Sequence, residues 1–84
     1  VETMENRIAL IALIVENPDA TDRLNQLLHD QRQFIVGRMG IPYAKRGVSI
    51  ISVVVDAPND VISSLSGKLG LLDGVNVKTV YSKK

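Results

Sequence analysis

Residues 7 to 16, RIALIALIVE, are apolar in both alternating sets: Ile8, Leu10, Ala12 and Ile14 in one, Ala9, Ile11, Leu13 and Val15 in the other. A strand sends successive side chains to opposite faces, so this segment needs cover on both, as a central strand does. Its length and the Asn17-Pro18-Asp19 punctuation that follows favour a strand over a buried helix. Asn17 can cap a helix with Pro18 in its first position, and Asp19 and Asp22 fall in the first turn, where the dipole favours anions. Ala20, Leu24, Leu27, Leu28 and Gln31 then recur at helical spacing and predict one stripe packed inward.

Phe34 to Gly40 returns to β character, but Gly37 and Gly40 weaken it and suggest a bulge, as on an edge strand. Pro42 bars a regular central ladder, and Tyr43 to Gly47 supplies a polar, glycine-ended hairpin connection. Val48 to Val55 is β-branched and largely apolar in both alternating sets, which predicts a second central strand closed by Asp56. Pro58, Asn59 and Asp60 repeat the helix-opening pattern, so Asp56 and Asp60 are read with Asp19 and Asp22 as first-turn acids. Val61, Ile62, Leu65 and Leu69 share a helical face; Gly67 is expected to permit close packing on the sheet, and Gly70 to end the helix. Asp73-Gly74 turns the chain into a half-exposed last strand over Val75 to Ser82.

The order β-α-β-β-α-β predicts an α+β, ferredoxin-like fold: a four-stranded antiparallel sheet with the first and third strands central and both helices on one face. The other face is then open, although the central strands carry Ile, Leu and Val to both sides. About five large aliphatic side chains, each contributing roughly 1.5 to 3 kcal/mol if buried, predict a homo-oligomer, dimer or tetramer, that covers this face. Ile11, Leu13, Ile51 and Val53 are the candidate interface residues, with Ile11 and Ile51 taken to probe opposite registers and the register itself left open.

Composition narrows the chemistry. The 84 residues form one domain, residues 4 to 84, and Val1 to Thr3 ahead of Met4 read as an expression remnant. Cysteine is absent and histidine occurs once, which removes disulfide scaffolds, thiol nucleophiles and the usual zinc sites; no metal and no cofactor are expected. A net charge of +1 supplies no global field for nucleic acid. The apolar run Ile8 to Val15 is far shorter than the roughly 20 residues a membrane span requires. Glu2, Glu5 and the Glu-Asn-Pro-Asp sequence after Val15 argue against a secretory signal, so a soluble, cytoplasmic chain without a membrane partner is expected.

Asn25-Gln-Leu-Leu-His29, Arg38-Met-Gly-Ile-Pro42 and the stretch from Leu65 through Ser-Gly-Lys-Leu-Gly to Gly-Val-Asn-Val-Lys78 occur in an order and spacing that span nearly the whole chain. In these pieces the chain resembles a family of small ACT-like proteins proposed to regulate iron-only hydrogenase systems. The resemblance implies an ACT-like version of the ferredoxin-like fold, similar to the ligand-binding domain of nickel-responsive repressors, and a regulatory role. It does not extend to nickel sensing, which needs several His or Cys ligands where this chain has His29 alone. Nor does the loop Val15-Glu-Asn-Pro-Asp-Ala20 carry the glycine common in amino-acid-binding ACT domains.

No nucleophile, base and oxyanion hole assemble from these residues, so an enzyme is not expected. His29 suits the end of a helix, and Asp19 with Arg23 suits an i,i+4 pair. Gly67-Lys68-Leu69-Gly70 lacks the strand-loop-helix context of a phosphate loop. The cluster Arg38, Lys45 and Arg46 around the hairpin, joined by Tyr43, offers the better candidate: Arg38, Tyr43 and Arg46 as contacts for a small anionic effector. The expected reading is a non-catalytic regulatory module that self-associates and senses a small molecule, acting beside a DNA-binding partner protein. The alternative is a nucleic-acid-binding regulator using the basic hairpin with Lys78, Lys83 and Lys84, although one Phe and two Tyr make a poor stacking platform.

Overall fold

The aliphatic run near the start of the chain forms β1 (Asn6–Val15), and it is hydrogen-bonded on both sides. The computed structural model describes residues 5–83, so the reading of Val1 to Thr3 lies outside the described residues, as does Lys84. After β1 come α1 (Thr21–Asp30), β2 (Ile35–Tyr43), β3 (Val48–Pro58), α2 (Asn59–Gly70) and β4 (Val75–Tyr81). The four strands form one antiparallel sheet in the order β2-β3-β1-β4. This is the ferredoxin-like α+β fold, with the two doubly aliphatic strands at its centre.

Local chemistry explains the punctuation. The Asn17 side chain accepts a hydrogen bond from the Asp19 N–H at 3.1 Å and starts a 3-10 turn over Pro18–Ala20 that runs into α1. The second helix does not repeat that opening. Its cap residue is Pro58, extended at φ −58° and ψ 149° and without a side-chain cap, while Asn59 Oδ1 accepts from Arg7 Nη1 at 3.2 Å instead. The strand before it is also longer than the aliphatic pattern indicates. Asp56, Ala57 and Pro58 pair with Ile8, Arg7 and Asn6, so Asp56 is a strand residue and not a first-turn acid.

On the edge, β2 shifts register between Ile35 and Gly37, which is the expected irregularity, and continues through Pro42, which an edge strand tolerates. A 3-10 turn over Ala44–Arg46 closes the hairpin, and Gly47 supplies the left-handed backbone at φ 66°.

The core lies between the helices and one face of the sheet. Ile11, Leu13, Val53 and Val55 from the central strands meet Leu24 and Leu28 of α1 and Ile62 and Leu69 of α2, all fully buried. Among the described residues no polar or charged side chain is buried, so the core is held by aliphatic packing and the backbone ladder.

Two glycines behave differently from one another. At Gly67 a Cβ would meet nothing within 4 Å, so the expected close packing on the sheet is absent; the residue is exposed because the helix turns it outward. At Gly74 the backbone is left-handed (φ 74°) and a Cβ would collide with Asn17 Cβ, because the α2–β4 loop packs against the β1–α1 loop. Glu16 N–H donating to Gly74 O at 2.7 Å locks the same contact. Gly67→Ala should therefore stabilise the fold by about 0.5 to 1 kcal/mol. Gly74→Ala should destabilise it by at least the roughly 1 to 2 kcal/mol of a left-handed non-glycine residue, with the collision added. Urea unfolding of both variants at one fixed protein concentration measures the two shifts, which must have opposite signs.

Candidate functional site

Antiparallel partners lie side by side on the same face of a sheet, so the strand register assigns every side chain to a layer. Away from the helices, one row runs Met39, Ser52, Ala12 and Lys78 across β2, β3, β1 and β4. The rows on either side of it are Gly37, Val54, Leu10 and Val80, and Ile41, Ile50, Ile14 and Asn76. Ile8 opposite Asp56, and Tyr43 opposite Val48, extend the surface at its two ends. Ile8, Leu10, Ile14, Met39, Ile41, Tyr43, Ile50 and Val80 are exposed, from 39% at Leu10 to 63% at Met39 and Val80, while Val48 and Val54 are half-buried; no described residue covers the layer. The charged residues of this layer sit at its margin: Lys78 on the edge strand β4, Asp56 near the end of β3, and Glu16 just beyond β1.

Each residue singled out by sequence has a definite place. Ile11 pairs with Val53 and Leu13 with Ile51, all in the layer under the helices, at 0 to 8% exposure. The four interface candidates are thus consumed by the core of the single chain, and Ile11 and Ile51 do not probe opposite registers. The side chains open to a partner belong to the other register: Leu10, Ala12 and Ile14 with Ile50, Ser52 and Val54. A signal for this was present. In β3 the odd-numbered set has its one polar residue, Ser49, near the strand's start and is aliphatic from Ile51 through Ala57, whereas the even-numbered set carries Ser52 at mid-strand and Asp56 near its end.

The proposed effector contacts do not converge. Arg38 pairs with Val53, which puts it on the helix side of the sheet, where its Nη2 donates to Asn25 Oδ1 of α1 at 2.7 Å. Tyr43 lies five residues further along β2 in the opposite register, roughly 17 Å away along an extended strand. Arg46 ends the 3-10 turn beyond it. A cavity of about 380 Å³ at the hairpin is lined by Pro18, Thr21, Pro42, Tyr43 and Ser49 among others, but by neither arginine.

The remaining candidates are structural. His29 is exposed in the last turn of α1, and its carbonyl accepts from Arg32 Nη1 at 3.0 Å. Asp19 and Arg23 form no ion pair. Gly67 to Gly70 lie inside α2. Lys78 is separated from the hairpin cations Lys45 and Arg46 by the width of the sheet, so they make no single basic stripe. Among the described residues no three His, Cys, Asp or Glu side chains group as a metal site. No helix there is long and apolar enough to cross a membrane.

Known proteins place this geometry. A family model, TM1266-like, described as "Iron-only hydrogenase system regulator, putative", matches residues 7–79. The structure of the uncharacterized protein TM1266 from Thermotoga maritima is similar at 39% identity and a TM-score of 0.90, covering 94% of this chain and 100% of that one. The C-terminal domain of the MgtC protein from Mycobacterium tuberculosis shares the fold alone, at 14% identity and a TM-score of 0.73 over 99% of this chain and 95% of that one. So does a formyltetrahydrofolate deformylase from Pseudomonas putida KT2440, at 14% identity and a TM-score of 0.63, over 87% of this chain and 28% of that one. No curated protein matches the chain. With a family model over residues 7–79 and a 39% identical structure that it covers from end to end, this chain belongs to the TM1266-like family.

Proposed function

We propose that this protein is a non-catalytic regulatory module that works as a homo-oligomer, with the open face of its sheet buried against a second copy of the same chain. The observation that carries the reading is the exposed layer of Ile8, Leu10, Ile14, Met39, Ile41 and Ile50. Four strands about 4.8 Å apart and seven residues deep present roughly 450 Å² in projection, and more in accessible area because side chains corrugate the surface. That approaches the ~800 Å² per partner of a standard stable interface. The arrangement also has the anatomy of one, with an apolar centre and its charges at the margin. A second copy brings an identical layer, so each supplies the cover the other needs.

The regulatory half of the reading rests on the family description, and the non-catalytic half on the lack of convergence among polar side chains. A regulator of this size has little besides its surfaces with which to act, and assembly gives it a state that a cell can read. In an organism that uses this protein with an iron-only hydrogenase, deleting its gene should change the amount or activity of that hydrogenase. An unaltered hydrogenase level would remove the regulatory part.

Light scattering at micromolar concentration tests the assembly. The wild type should have at least twice the 9.2 kDa mass of one chain. Ile14→Glu and Ile50→Glu, at the centre of the open layer, should give folded monomers. Ile11→Glu should instead fail to fold, since it places a charge in the core. A wild type of single-chain mass would overturn the proposal.

A further inference from the structure

The open layer has a charge pattern that constrains how two copies can meet. Lys78 lies in the central row, on the edge strand β4, about 7 Å from the midline between β3 and β1. Asp56 lies four residues along β3 from Ser52 of that row, about 13 Å up the strand. Between them, Ile8, Leu10, Val54 and Val80 line a shallow hollow of about 320 Å³ whose walls are almost wholly apolar.

Face-to-face sheets pack either near-aligned or near-orthogonal. With a two-fold axis between the sheets that passes over the Ser52–Ala12 centre of the layer, two aligned arrangements follow. An axis along the strands sets Lys78 over the partner's Met39, an ammonium against an apolar side chain. An axis across the strands sets Lys78 over the partner's Lys78, two like charges. A crosswise arrangement differs. Because Lys78 is as far from the centre across the strands as the Leu10–Val54 row is along them, a quarter-turn carries the partner's Lys78 over the hollow. Its methylene stem then lies on apolar walls, and its ammonium, about 6 Å further out, reaches the strand end where Asp56 stands.

Of the carboxylates at the strand ends, Glu16 is engaged, its Oε1 accepting from Asn76 Nδ2 at 2.8 Å. The Asp56 carboxylate has no hydrogen-bond or ion-pair partner among the described residues. We infer that two copies dock with their strands crossed at close to a right angle, each Lys78 filling the partner's apolar hollow and pairing with the partner's Asp56. The inference rests on the self-association proposed above and adds its orientation and its two symmetric ion pairs.

Charge exchange tests it, because only a direct pair is restored by swapping both signs. Lys78→Glu and Asp56→Lys should each weaken the dimer about tenfold or more in sedimentation equilibrium at low salt, with unchanged circular dichroism, since both side chains are exposed. The double variant Lys78→Glu/Asp56→Lys should return to within about threefold of the wild type. Lys78→Glu/Glu16→Lys should not. Losses that simply add in the first double variant, rescue through Glu16, or single variants that dimerise like the wild type would overturn the crossed arrangement while leaving self-association intact. A monomeric wild type would instead remove the reading on which it depends.

Discussion

Two helices can cover one side of a four-stranded sheet, and the central strands of this protein are aliphatic on both. Every other feature of the molecule is arranged around that mismatch. Below the sheet, Ile11, Leu13, Val53 and Val55 are sealed by Leu24, Leu28, Ile62 and Leu69, and the core contains no buried polar side chain among the described residues. Above it, a register that is largely aliphatic in β1 and β3 stands in contact with solvent. A domain of this size buries a modest share of its surface on folding, so leaving such a layer wet sacrifices a large part of the available hydrophobic stabilisation.

The same constraint explains where polar chemistry is found. Arg38 is drawn to the helix side and tied to Asn25, Arg7 stacks over Tyr81 at 4.5 Å and reaches Asn59, and Glu16 reaches Asn76. These contacts join neighbouring elements at the periphery and do not focus on a common point. The loops at one end of the sheet are joined as well, Gly74 packing against Asn17 with no room for a Cβ and accepting from the Glu16 N–H.

Much of the fold was legible because its signals are local. Asn17-Pro18 marks the first helix, the stripe from Ala20 to Leu28 its buried side, and Gly37 with Pro42 the irregular edge strand; each depends on a few adjacent residues. The errors arise where the deciding partner is remote. β3 continues through Asp56 to Pro58 because Ile8, Arg7 and Asn6 are there to pair with it, although its composition turns polar at Asp56. Gly67 points outward because the helix is rotated by its other contacts, and Arg38 and Tyr43 are parted because strand alternation sends them to opposite layers.

The amino-acid order alone determined the succession of strands and helices, the central position of β1 and β3, the family resemblance, and the existence of an aliphatic surplus on the sheet. It did not determine which alternating set faces the helices, since in β1 both sets are equally apolar and a period of two carries no preference for either side. Only the tertiary structure decided that, by pairing β1 with strands whose own alternation is less symmetric, Ser52 and Asp56 in β3 and Asn76 and Lys78 in β4. Those polar residues had to stay out of the core, and through the ladder they turned Leu10, Ala12 and Ile14 outward with them.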